Sequence, residues 1–214
     1  MDIRNIGKGI IVLAFLLYFK LLLISTGNME YQPNFDKLSY VGRWYLQMRS
    51  KYAFYTQQEC TCQIFTAKND NTVRMVNIEF DQSNGVFNYI SGHISFHEFS
   101  GNVQFMPYIP AGKYNVLATD YTTYSIVHMM INYYFGIIHF THFLTRERNP
   151  SLETLDLIKS VVKSKIVDFP FQDMLQVSQD SQCQYLSDTE LLSALNQSTW
   201  KYGYKIRKLN ATEE

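Results

Sequence analysis

From Tyr40 to Thr145 the chain alternates short apolar runs with clusters of turn residues, and inside the runs apolar and polar side chains tend to change places at each step. A period of two belongs to a strand with one buried face, and successive runs of this kind separated by turns form an antiparallel meander. Eight strands are predicted: Tyr40–Ser50, Glu59–Ala67, Val73–Phe80, Val86–Phe96, Asn102–Met106, Lys113–Thr119, Tyr124–Ile131 and Ile137–Leu144. Asn69-Asp70-Asn71, Ser83-Asn84-Gly85, Pro107 with Pro110-Ala111-Gly112, and Thr122-Thr123 fall between them. Asn84-Gly85 is the clearest turn, because both residues tolerate the positive φ of a tight hairpin. Eight strands suffice to close a small barrel around one ligand.

Past Pro150 the period lengthens to that of a helix. Ser151 can cap it, Leu152, Leu155, Ile158 and Val162 share one face, and Glu153 and Asp156 sit where the helix dipole favours acids. Pro170 prevents its continuation. The class is therefore all-β with one C-terminal helix. Periodicity alone does not separate a barrel carrying a packed helix from another β-rich domain with a helix appended.

Composition agrees and adds exclusions. Sixteen tyrosines and fifteen phenylalanines favour strands. Nineteen basic residues balance nineteen acidic ones, so there is no electrostatic footprint for a nucleic acid.

Residues 1–27 read as a secretory signal peptide: Arg4 and Lys8, then the apolar run from Ile10 to Phe19, then Ser25-Thr26-Gly27. A retained membrane anchor is the alternative, but the stretch Ile10 to Ile24 is shorter than the roughly 20 apolar residues of a span, and Lys20 interrupts it. Export is consistent with two N-glycosylation acceptors, Asn196-Gln197-Ser198 and Asn210-Ala211-Thr212. The segment Lys208 to Glu214 has no apolar stretch that would direct a lipid anchor. The expectation is a soluble secreted, extracellular protein with no transmembrane span in its mature form.

Three segments carry a family resemblance: Asn34-Phe35 with Gly42-Arg43-Trp44-Tyr45, then Thr119-Asp120-Tyr121, then Arg146 at the end of an apolar strand. In this order and spacing they resemble the signature regions of the lipocalins, within the calycin superfamily, and most nearly the group of apolipoprotein D, the insect bilin-binding proteins and Lazarillo. The likeness runs from about Asn34 to Cys183. It implies an eight-stranded antiparallel up-and-down barrel with the helix packed outside, a domain at 28–183 and a tail at 184–214. It also implies that Trp44 closes one end, that an arginine of the last strand lies on its ring and bonds to nearby carbonyls, and that Gly42 lets the chain bend. Arg146 is preferred to Arg148, because matching Arg148-Asn149-Pro150 needs gaps while Arg146 keeps the helix in step.

The same resemblance pairs Cys60 with Cys183. The group's second disulfide has no counterpart, since the N-terminal arm lacks cysteine and the strand position matches Met130. Cys62 is left over and shares the strand face of Cys60. Competition for Cys183, pairing with another molecule and a buried thiol all remain open. One branch, prostaglandin D synthase, is an enzyme that uses a cavity thiolate. A Cys62 that faces outward with Cys60 is unsuited to that chemistry, so no catalysis is expected. No metal or cofactor is expected either. His139 and His142 point to opposite strand faces, and His93 and His97 lie about 13 Å apart along one strand.

Alternation from these anchors gives the expected interior. Trp44 carries Leu46 and Met48 inward, Phe65 lies an odd step from Cys60, Tyr114 goes with Val116 and Ala118, and Arg146 goes with Phe140, His142 and Leu144. The ligand-binding set is Leu46, Met48, Phe65, Tyr114, Val116, Phe140 and His142. Tyr114 and His142 would orient a bound molecule, although a solvent-facing His142 at the barrel mouth is an equal alternative. The implied partner is a small hydrophobic ligand: a fatty acid, sterol, retinoid or tetrapyrrole pigment. Association with a cell-surface receptor or lipoprotein stays open. So does an extracellular protein-interaction module whose cavity side chains largely fill, with Leu191, Leu192 and Leu195 of the tail on a short amphipathic helix.

Overall fold

The structure is a computed structural model that describes residues 31–51, 59–69, 71–97, 100–105, 110–133, 136–196 and 209–210. The expected signal peptide and the turn at Pro107 lie outside the described residues.

The eight predicted strands form: β1 Gly42–Ser50, β2 Thr61–Asn69, β3 Thr72–Asp81, β4 Val86–Phe96, β5 Gly101–Gln104, β6 Gly112–Thr119, β7 Tyr124–Tyr133 and β8 Gly136–Thr145. Each pairs antiparallel with the next, β1 pairs with β8, and the sheet is a closed barrel. A short helix α1, Lys37–Tyr40, precedes β1, capped by the Asp36 side chain. The longer helix α2, Leu152–Lys165, is capped by Ser151 as expected, and its Ile158 and Val162 are buried. Leu152, placed on that face by sequence, is instead 79% exposed. A helical side chain leans back over the turn before it, and the first residue points past the helix end instead, so the covered stripe begins at the half-buried Leu155.

Two short strands were not foreseen. β9, Met174–Gln176, pairs with the second half of β1, and β10, Leu209–Asn210, pairs with the start of β4. Helix α3, Asp188–Asn196, lies between them in sequence, and its Leu191 is buried in an outer cluster with Cys62, Val76 and Ile78. The Cys60–Cys183 disulfide ties the chain ahead of α3 to the residue that leads into β2, with Cα atoms 5.1 Å apart across 123 residues of sequence.

Two β-bulges alter which way side chains point. In the β1–β8 ladder the register shifts between Leu46 and Met48, and in β6–β7 it shifts between Val116 and Ala118. A bulge sets two residues of one strand against one of its partner, so alternation slips by one. Met48 and Ala118 were expected inside, yet both pack in the outer cluster beneath α2, with Phe143, Ile158 and Val162. Gln47 takes the extra position on β1, and its amide donates to Thr145 Oγ1 (2.8 Å) and to the Arg148 carbonyl (3.0 Å).

Candidate ligand-binding site

One end of the barrel is closed by stacked flat groups. Trp44 is fully buried, and its indole N–H donates to the Tyr40 carbonyl at 2.9 Å. The Arg146 guanidinium carbon lies 3.8 Å from the Trp44 ring centroid, and the Tyr40 ring stacks on the indole with centroids 5.1 Å apart. Arg146 then donates to five carbonyls: Tyr121 and Arg43 at 2.9 Å, Val41 at 3.0 Å, and Ser39 and Tyr40 at 3.3 Å. A guanidinium has five N–H donors in a plane, so it can cover a ring and fasten the surrounding backbone together. The stack is worth about 2 kcal/mol when sheltered from water.

The Thr119-Asp120-Tyr121 turn presents one of those carbonyls. Asp120 Oδ1 accepts from the backbone N–H of Thr122, Thr123 and Tyr124 at 3.1, 2.7 and 3.0 Å. Thr119 Oγ1 donates to the Tyr124 carbonyl at 2.7 Å and accepts from Tyr121 N–H at 2.9 Å. These bonds hold Tyr121 at φ 67°, and its carbonyl is then aimed at Arg146. Phe35 closes the rim against Tyr40, Phe96 and Tyr121.

Above this floor the inner surface has two unlike sides. Ile94, Val103, Val116, Val127, Met129 and Ile131 form a continuous apolar cluster on β4 to β7. On β2, β3 and β8 the inward positions include Gln63, Asn77 and His142, 0, 2 and 1% exposed. Gln63 Nε2 lies 3.0 Å from His142 Nδ1. Burial pushes the His142 imidazole down to about 4, with Arg49 and His128 adding to the shift, so at neutral pH it is uncharged.

Of the residues expected to line the interior, Leu46, Phe65, Tyr114, Val116 and Phe140 lie in one buried cluster with Trp44 and Leu144. His142 is inside, not at a solvent-facing mouth. Met48 and Ala118 are the exceptions, turned outward by the two bulges. The Tyr114 hydroxyl is 3.3 Å from that of Tyr40, which in turn is 2.9 Å from Ser125 Oγ, so it belongs to the floor. Burial pushes the Tyr40 hydroxyl up to about 12. Gln63 and Asn77 were missed by the sequence reading, although Gln63 is two residues from Phe65 and directly faces Asn77 in the β2–β3 register. Arg49 returns to the inside beyond the bulge, opposite His142.

Cys62 lies outside the barrel wall, in the cluster with Ile64 and Leu191. Burial pushes its thiol up to about 11, against the opposing pull of Arg43, whose Nη1 is 3.8 Å from the sulfur. Among the described residues, the one group of three potential metal ligands is Cys60, Asp180 and Cys183, and two of these are joined in the disulfide. No helix of the described residues is long and apolar enough to cross a membrane.

The model of the family described as "Lipocalin / cytosolic fatty-acid binding protein family" matches residues 41–181. Apolipoprotein D of Mus musculus is 29% identical over 143 residues, 64% of this chain and 74% of the relative. Apolipoprotein D of Cavia porcellus is 29% identical over 147 residues, 66% and 76% of the two chains. Among solved structures, insecticyanin from the tobacco hornworm Manduca sexta aligns with TM-score 0.59 at 16% identity, covering 77% of this chain and 87% of that one. A biogenic amine-binding protein aligns with TM-score 0.63 at 15% identity, over 82% and 98%. The two structures share the fold.

Proposed function

The chain belongs to the lipocalin / cytosolic fatty-acid binding protein family, which binds small hydrophobic ligands, and on that footing we propose that it is a secreted carrier holding one such molecule reversibly inside its barrel, without catalysis. The observation that carries the reading is the closed floor. Trp44 beneath Arg146 blocks one end of the barrel to water, and above it stands a side wall of Ile94, Val103, Val116, Val127, Met129 and Ile131. Covering apolar ligand surface against such a wall contributes roughly 25 cal/mol per Å². Leu46, Phe65, Tyr114, Val116, Phe140 and His142 are the proposed contact set.

Secretion is supported by the N-terminal sequence pattern and by the Cys60–Cys183 disulfide, a bond that persists in oxidising compartments. Glycosylation at Asn196 and Asn210 and association with a receptor or lipoprotein belong to the same proposal. A catalytic thiol finds no support, because Cys62 lies on the outer face of the wall. The test is a titration of delipidated Trp200→Phe protein, in which Trp44 is the sole tryptophan, with fatty acids, sterols, retinoids and tetrapyrroles. Saturable one-to-one quenching by at least one class is expected. Failure to saturate with every class contradicts the reading.

A further inference from the structure

Asn77 is 2% exposed, and neither its amide nitrogen nor its amide oxygen has a hydrogen-bond partner among the described residues. Beside it, Gln63 Oε1 and His142 Nε2 are likewise buried without a partner among the described residues. All three side chains point inward: Gln63 shares the strand parity of Phe65, Asn77 that of Met75, and His142 lies between Phe140 and Leu144. Leaving such groups unsatisfied costs about 1–3 kcal/mol each, so a fold that needed only packing here would be served better by leucine. The cost becomes useful when a bound molecule completes the bonds.

The chemistry of the pair says what that molecule presents. With the Gln63 amide donating to Nδ1, His142 carries its proton on Nε2, so the pair offers the interior one donor (Nε2–H) and one acceptor (Gln63 Oε1). Turning the amide over reverses both roles together: Nδ1–H donates to Oε1, Nε2 accepts, and the Gln63 nitrogen donates. One donor and one acceptor face the ligand in either arrangement. Asn77, opposite Gln63 in the register, adds another of each. Arg49 on this side is drawn toward Glu79, so part of the attraction it could offer an anion is already taken up by a carboxylate of the protein. A carboxylate only accepts, and it would leave the acceptors of this wall opposed to its own oxygens.

We infer that the Gln63–Asn77–His142 wall binds an uncharged polar group that both donates and accepts, an alcohol or a carboxamide, on an otherwise apolar ligand whose hydrocarbon lies against β4 to β7. The inference rests on the carrier reading and specifies its ligand class. It also explains why, among the described residues, two amides and an imidazole keep unpartnered atoms opposite the apolar side of the barrel.

Two matched series test it at pH 7.5: oleyl alcohol, oleamide, oleic acid and methyl oleate; then retinol, retinamide, retinoic acid and methyl retinoate. Within a series that binds, the alcohol and amide are expected to bind at least about ten-fold more tightly than the ester and the acid. Asn77→Leu and Gln63→Leu each bring the alcohol and amide toward the level of the ester. Asn77→Leu also raises the melting temperature of the ligand-free protein, because it removes unpaired buried groups. Tightest binding by the acid, equal binding by all four, or a preference untouched by both substitutions overturns the inference and leaves the carrier reading standing. No binding by any of the eight compounds contradicts the carrier reading, and the inference falls with it.

Discussion

A Cβ placed on Gly42 would stand 3.0 Å from Nη1 of Arg146, at a backbone φ of +100°. The glycine serves two purposes at once: it adopts a conformation that L side chains rarely enter, and it leaves room for the guanidinium to lie over Trp44. Gly42→Ala is expected to destabilise the protein by about 2–4 kcal/mol in urea unfolding. In the Trp200→Phe background it should also shift Trp44 emission to the red. A variant with unchanged stability and emission would mean that the approach of Gly42 to Arg146 is not a constraint.

Arg146 fastens five carbonyls and covers one ring. Lysine keeps the charge but lacks the planar fork. Arg146→Ala is expected to cost about 3–5 kcal/mol, the range for removing one partner from a buried network, and Arg146→Lys to recover less than half of that. Thermal unfolding of both variants decides it. Full recovery by lysine would show that charge alone suffices.

Acid should weaken the fold before any carboxylate titrates. His128 and His142 are both held near 4 by burial, while in the unfolded chain they titrate near 6.5. Between those values the unfolded state binds more protons, so stability falls as pH falls and is level above about pH 7. Each of the two contributes roughly 2 kcal/mol of loss on going from pH 7.5 to 5. His93 and His139, lowered in the same direction, add to the slope. Urea unfolding at pH 7.5, 6 and 5 measures it. His142→Gln should reduce the slope visibly, and an equal slope in that variant would contradict a neutral, buried His142.

The Cys62 thiol is 1% exposed, and burial pushes it up to about 11. Alkylation by iodoacetamide at pH 8 should therefore be at least about 100-fold slower in the folded protein than in urea. Rapid labelling of the native protein would place this sulfur somewhere other than under Leu191. Replacing Cys60 and Cys183 together by alanine is expected to cost about 2–5 kcal/mol, the range for a native disulfide closing a long loop.

Much of this architecture is legible along the chain, and the misreadings have local causes. The eight strands follow from alternation and from turns such as Asn84-Gly85, and the floor from the family resemblance that Trp44, Asp120 and Arg146 carry. Met48 and Ala118 were misassigned because a bulge has no sequence signature as plain as a turn, yet it reverses every orientation inferred across it. β9 and β10 are too short for a period to register. Gln63 and Asn77 escaped notice because a search for an apolar lining passes over amides, even where the parity of Phe65 and Met75 points them inward. Their lack of protein partners emerges only when β2, β3 and β8 stand side by side.

The central claim is a barrel that carries a single small molecule. Native mass spectrometry of the intact protein purified from its own source tests this most directly. The account predicts one added mass per chain, lost after organic extraction and traceable to an apolar compound with an uncharged polar end. Repeated preparations showing the bare polypeptide mass alone would contradict it.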